Sequence, residues 1–258
     1  MNMNADMRKG SLEIGDEVEK RLAEERTFAA LKLQRKQRLE TLIEKRKNNF
    51  LYLKRVHNGG CFWLNSVLTE HRDLNLHIFE KVQPMRAVMY YYLGLSISKL
   101  LDLQPGPVII RAFAQLLEEW EYMFASVPMQ GMKYVMARTS HYAYPQFMPA
   151  EGDQDQIRST IFKFNNDVVF EYLLYPHVPF ELDYLEVFHS LCDMLYSLYE
   201  KLWHEDSFSN VAVYETVVRL DARVKHFVIN LVAKEFTETA ISTVKDEVDD
   251  LRASLYNA

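Results

Sequence analysis

An all-α fold is predicted by three features of the sequence. Glycine and proline number eight each among 258 residues and fall in a few clusters. The stretches between those clusters are of helical length and rich in helix formers. Within them, apolar residues recur at three- and four-residue steps, the period of a helix with one buried face. The expected architecture is about seven helices: a long basic N-terminal helix over 1–57, partly projecting, and a helical body over 58–258 with an irregular loop at 128–156. A small β-hairpin near 157–175 is the one β element the pattern admits.

The first element runs from about Leu12 to His57 without a proline, with Gly15 as its only internal glycine. Leu39, Leu42, Ile43, Phe50 and Leu53 mark the face expected to seat on the body. The Arg46 stem lies along the same stripe, with its charged head expected in water. A heptad frame started at Leu22 meets Ala29, Lys36, Ile43 and Phe50, and a lysine at a core position argues against a strong coiled-coil dimer. Asn58-Gly59-Gly60 supplies a C-cap. Cys61–Leu68 and Leu74–Val82 are short apolar segments able to enter the core.

Pro84 opens a helix to about Leu103, expected to bury Val88, Tyr91, Tyr92, Leu95 and Leu100. Gln104-Pro105-Gly106 breaks it and Pro107 starts the next, through Val127, so the P-G-P turn reads as an αα-hairpin. Ile109, Phe113, Leu116, Leu117, Trp120 and Phe124 follow the helical period there, leaving Glu118, Glu119 and Glu121 on other faces. Regularity then fails from Pro128 to Gln156. Ile157–Phe164 alternates as a strand does. Asn165-Asn166-Asp167 serves either as a hairpin turn before Val168–Tyr175 or as the cap of a helix through Leu174, the helix being slightly preferred.

Beyond Pro176 and Pro179, residues Leu185, Phe188, Leu191, Cys192, Leu195 and Leu198 mark a buried helix ending near His204. The last element, Asn210 to Tyr256, contains no glycine or proline. Val217, Leu220, Val224, Phe227 and Leu231 form its first stripe. Past Val232 the stripe moves to Phe236, Ala240, Val244, Val248, Leu251 and Leu255, which predicts packing on two surfaces, and the end is expected to extend past the body.

The charge map is uneven. The net charge of −6 divides into +5 over Met1–His57 and −11 over the remainder. Such a basic arm on an acidic body predicts either an anionic partner or docking of the arm on its own body. Hydrophobic residues at 48% and charged residues at 26% exclude wholesale disorder. Two cysteines, Cys61 and Cys192, are too few for a disulfide framework and suit a reducing compartment. No apolar leader or membrane-length apolar run occurs, so a cytosolic protein is expected.

Catalytic motifs are missing. Glu186-Val187-Phe188-His189 places Glu and His on one helical face, as di-iron bundles require, but no second E-x-x-H accompanies it, and a histidine at the edge of a packed face is the stronger reading. There is no G-x-S-x-G elbow, no phosphate-binding G-x-x-x-x-G-K-[ST] and no G-x-G-x-x-G. The sequence therefore points to a non-enzyme with no cofactor or metal.

Two segments carry the candidate partner-binding residues. The basic run supplies Lys32, Arg35, Lys36, Arg38, Lys45, Arg46 and Lys47, which can neutralise an acidic protein surface, a cytoskeletal polymer, anionic lipid or nucleic acid. Nucleic acid is the weakest of these, since no aromatic residues interleave with the cluster. Between Met129 and Met148, the residues Tyr134, Tyr142 and Tyr144 stand among methionines as an adaptable lip. The leading expectation is a non-enzymatic scaffold or adaptor that holds other proteins through its long helices. The alternative is a module that binds an anionic surface through the basic helix.

Overall fold

The computed structural model describes residues 3–70, 74, 84–125, 130, 159, 161–165 and 167–256, with side chains from Glu19 onward. The expected all-α architecture is observed, with two small β-hairpins. Helix α1 (Met3–His57) is a single uninterrupted element about 83 Å long at 1.5 Å per residue. Its side chains from Glu19 to Leu31 are all exposed. From Leu39 onward it buries Leu39, Ile43, Arg46, Phe50, Leu53 and His57, steps of four and three that keep one face on the body. The helix stops where the sequence predicts: Gly59 and Gly60 take left-handed φ of 70° and 67°, which end a helix at little steric cost.

A hairpin follows, β1 (Cys61–Trp63) against β2 (Val67–Thr69), antiparallel with Cys61 opposite Thr69 and Trp63 opposite Val67. Leu64 and Asn65 make its turn at φ 47° and 56°. Of this apolar segment Trp63 is buried in the core, stacked between Tyr52 and Phe236 at 5.7 and 5.1 Å, while Cys61 and Val67 pack half-buried against it. In Leu74–Val82 only Leu74, fully buried, is among the described residues.

Helices α2 (Pro84–Leu100) and α3 (Pro107–Phe124) form the expected αα-hairpin. Gly106 sits in their turn at φ 101°, and a Cβ there would lie 2.9 Å from Nδ1 of His204, so the position is closed to side chains twice over. The buried face of α2 differs from expectation. It is Ala87, Tyr90, Leu93, Gly94, Ile97 and Leu100, whereas Val88, Tyr91, Tyr92 and Leu95 are half-buried on its flanks. Small residues set this rotation: a methyl at Gly94 would already touch Leu191 at 3.8 Å, so α2 lies close against α4 (Tyr184–Leu202). The apolar residues expected on α3 are buried, apart from half-buried Phe124.

Glu119 corrects a second expectation. Rather than facing away from the core, it is fully buried and its carboxylate accepts three backbone N–H groups, those of Glu171, Tyr172 and Leu173, at 2.8–2.9 Å. Gln115, one turn earlier, donates to the same group at 2.8 Å. The chain it gathers follows a hairpin, β3 (Phe162–Phe164) paired with β4 (Asp167–Val169), which replaces the slightly preferred helix at this point. Asn165 at φ 48° turns the chain back, and the extended segment beyond β4 finds its hydrogen bonds on Glu119 and on the Ser96 hydroxyl, which accepts from the Leu174 N–H at 2.9 Å.

Asp183 caps α4 by accepting from the N–H groups of Leu185 and Glu186. A short turn, α5 (Asp206–Ser209), leads to α6 (Val211–Val224), capped by Asn210. The chain then runs through a π-helical turn (Lys225–Asn230) directly into α7 (Leu231–Tyr256). The π turn accounts for the change of stripe noticed in the sequence, and it comes slightly earlier than expected. Its wider turn absorbs about one residue, so steps of four keep Val228, Val232 and Phe236 on the side already held by Val217, Leu220 and Val224. In consequence Phe227 is half-buried and Leu231 exposed, where a regular helix would have buried both.

The core lies where α2, α3 and α4 meet α1 and the long α6–π–α7 helix, and α1 packs chiefly on α4, antiparallel, with Lys47 at Glu200 and Lys54 at Asp193. Side-chain contacts at near-constant sequence offset run from α1 to α5 and to the α6–π–α7 rod: Arg35 reaches the Phe208 carbonyl, Arg46 reaches Asp221, and the His57 ring lies 4.8 Å from that of Phe236. Thus α1 and the α6–π–α7 rod run parallel, and the exposed start of α1 and exposed end of α7 leave the body at opposite ends. None of the described helices is long and apolar enough to cross a membrane.

Candidate partner-binding surface

Most of the basic candidates are drawn onto the protein's own body. Lys32 pairs with Glu205 at 2.8 Å, and that contact holds the Glu205 carboxyl below its usual range. Arg35 donates to the Phe208 carbonyl at 2.8 Å, satisfying an acceptor at the C-terminal end of α5. Lys36 lies 5.8 Å from the centre of the Phe208 ring. Lys47 bridges Glu200 at 3.1 Å and Glu44 at 3.3 Å while sitting over Tyr196, and its ammonium is held charged well above the usual lysine range by the Glu200 bond. Lys54, outside the predicted set, pairs with Asp193 at 2.6 Å.

Arg46 goes further and overturns the expectation that its head stays in water. The residue is 7% exposed and makes a bidentate pair with Asp221, Nε to Oδ1 at 2.6 Å and Nη2 to Oδ2 at 2.9 Å. The Tyr199 hydroxyl donates to the same Oδ1 at 3.0 Å. Burial opposes the guanidinium charge, but the Asp221 carboxylate and Tyr199 outweigh it and raise the Arg46 pKa. The Tyr199 phenol is pushed well up, first by burial and then by Asp221. This triad ties α1, α4 and α6 together at the middle of the body.

Arg38 and Lys45 are different. Together with Gln34, Gln37, Thr41, Leu42, Arg46 and Asp221 they line a groove of about 540 Å³ along α1. Both are exposed, and among the described residues neither is held in an ion pair. Tyr134, Tyr142 and Tyr144, with the rest of the Met129–Met148 segment apart from Gln130, lie outside the described residues, as does most of the 128–156 loop.

The E-x-x-H pair sits at the edge of the body on α4. Glu186 is exposed in the first turn of α4, whereas His189 is half-buried, its ring 6.4 Å from that of His57. Among the described residues no group of three His, Cys, Asp or Glu side chains is placed to hold a metal ion. Cys192 is fully buried, and burial raises its thiol far above the ordinary value. His57 is fully buried against Phe188 at 4.2 Å, with its Nδ1 2.6 Å from the Leu53 carbonyl. Burial lowers its pKa to about 4, against the opposing pull of that carbonyl.

The apolar stripe expected on the last element leaves the body at the far end of α7. Its side chains pack on the body as far as Ala240, and then Ile241, Val244, Val248, Leu251 and Leu255 stand in solvent, from 40% to 78% exposed. The start of α1 similarly exposes Leu22, Phe28 and Leu31. The stripe positions and the extension of the last helix past the body were both legible in the sequence; Ile241 was not among the residues expected there. The Arg46–Asp221 pair carried a faint signal, since each residue interrupts an apolar stripe at its buried phase: Arg46 between Ile43 and Phe50, Asp221 between Val217 and Val224.

These residues define an all-α trunk with a helix extending from each end. No protein-family model, curated protein or solved structure matches the chain.

Proposed function

We propose that the protein is a non-enzymatic scaffold, joining partners through the two helices that leave its trunk at opposite ends. One observation carries this reading: the apolar stripe of α7 continues in helical phase past the body, and the start of α1 also leaves apolar side chains in solvent, with Leu251 63% and Phe28 57% exposed. Contiguous exposed apolar surface on a folded protein marks an interaction site. Two buried charged groups support the same reading, because each ties elements together: Arg46 joins α1 to Asp221 of α6, and Glu119 gathers the backbone of 171–173 onto α3.

The alternative, an anionic partner on the basic helix, rests on the groove beside Arg38 and Lys45. It has less to work with than the sequence suggested, since Lys32, Arg35, Arg46 and Lys47 bind the body. The experiment that separates the two is affinity capture of the full chain beside one variant lacking residues 1–30 and another lacking 241–258. Removing all of 1–57 would also remove Leu39, Phe50 and Val56 from the core and is not a usable comparison. Partners lost with either end and retained at high salt support the scaffold. Partners retained by both truncations but lost on Arg38→Glu with Lys45→Glu, or as salt rises, support the anionic surface instead.

A further inference from the structure

We infer that the exposed end of α7 is a self-association element that pairs with the same helix of a second copy, in parallel. The inference rests on the scaffold reading and assigns an occupant to one of its two ends. Ile241, Val244, Val248, Leu251 and Leu255 are spaced three, four, three and four apart, so they form an unbroken a/d seam with Ile241, Val248 and Leu255 at a and Val244 and Leu251 at d. All five are exposed. β-Branched residues at the first two a positions and leucine at the second d favour two strands.

The flanking charges select the orientation. In this frame Lys245 and Arg252 occupy e, and Glu247 occupies g. A parallel pair sets each g residue beside the e residue five further along the other chain, so Glu247 meets Arg252 of the second copy, and symmetry makes the contact twice. An antiparallel pair sets e against e and brings Lys245 and Arg252 face to face, which like-charge repulsion opposes. Asp246, Asp249 and Asp250 fall at f, b and c, away from the seam. Arg252 now lies 3.4 Å from Asp249 on its own helix, an exposed contact that it can exchange for Glu247 across the seam.

The trunk leaves room for this partner. Val232, Phe236, Thr239 and Ala240 bury one side of α7, and at about 100° per residue the seam is centred roughly a third of a turn away from that side. A second helix can therefore approach without displacing the body. The exposed start of α1 is not a rival occupant, because it leaves the trunk at the other end. Just over two heptads give a weak, concentration-dependent dimer rather than an obligate one.

The test is sedimentation equilibrium of the full chain. A reversible monomer–dimer equilibrium is expected, abolished by Val248→Asp with Leu251→Asp at unchanged helicity and melting temperature, since both positions lie off the trunk. Glu247→Lys or Arg252→Glu alone should each weaken association about tenfold, and the two together should restore it. With Cys61→Ser as background, Leu251→Cys should give a symmetric disulfide dimer on oxidation, as only the parallel register allows. A full chain that stays monomeric, a dimer indifferent to Val248→Asp and Leu251→Asp, or charge swaps that fail to compensate would each overturn the inference. A monomer that still loses captured partners when 241–258 is removed would overturn it while leaving the scaffold reading intact; full retention of partners by both truncations would instead remove the scaffold reading.

Discussion

Replacing Asp221 by alanine tests whether the basic helix is fastened to the body by a buried ion pair. The carboxylate accepts three hydrogen bonds, from Nε and Nη2 of Arg46 at 2.6 and 2.9 Å and from the Tyr199 hydroxyl at 3.0 Å. Both charged side chains are nearly out of solvent, at 8% and 9% exposure. Asp221→Ala leaves the guanidinium buried without its counter-charge, which costs about 3–5 kcal/mol, and orphans a phenol for about 1 kcal/mol more. A loss of about 4–6 kcal/mol is large beside the roughly 5–15 kcal/mol by which domains are usually stable. Arg46→Met should cost about 3–5 kcal/mol from the other side. The triple replacement Arg46→Met, Asp221→Leu, Tyr199→Phe should recover to within about 1 kcal/mol of the parent, because no charge is then stranded. Urea unfolding followed by circular dichroism gives these differences directly if the slope with denaturant is unchanged. A loss below about 1 kcal/mol for Asp221→Ala would show that the pair is solvated and that α1 is held by its apolar face alone.

Other outcomes follow from single contacts. Glu119→Ala should cost about 2–4 kcal/mol, since three backbone N–H groups lose their acceptor, and hydrogen exchange should quicken at Glu171, Tyr172 and Leu173 before anywhere in α3. His57, with its pKa lowered to about 4 by burial, is neutral in the folded protein while the unfolded chain takes up a proton near pH 6.5. Stability should accordingly be full above that pH and fall by about 3 kcal/mol as pH drops through it to about 4. His57→Phe should flatten that part of the profile, and an unchanged slope would reject the assignment. Lys32→Glu, which breaks an exposed pair with Glu205, should leave the urea midpoint almost unmoved, and a large shift would show that the pair fastens α1.

How much of this was legible in the sequence depends on what kind of residue carries each feature. The seat of α1, the P-G-P hairpin, the glycine cap and the stripe of α4 all rest on large apolar side chains or on Gly and Pro, whose preferences are local. The rotation of α2 was hidden because its closest face is made by Ala87, Gly94 and Ser96, which show no hydrophobic signal, and larger neighbours drew attention instead. Glu119 was hidden for the opposite reason: an acid on a helix reads as solvated unless its partners are known, and those lie about fifty residues away in backbone N–H groups that no sequence pattern marks. The π turn announced itself only as a shift of stripe. For the candidate surface, charge composition located the basic segment, but it could not say which cations would be spent on Glu205, Asp221 and Glu200 and which, like Arg38 and Lys45, would be left at a groove.

The parallel run of α1 beside the α6–π–α7 rod has a mechanical consequence. A pull on the start of α1 and on the end of α7 acts along the two helices in opposite directions, so it tries to slide one past the other. Sliding strains the whole interface at once, from Arg35 at Phe208 through Arg46 at Asp221 to His57 at Phe236. Peeling, by contrast, would break those contacts one after another. Attachment through these two ends therefore places tension across the trunk in its most resistant direction.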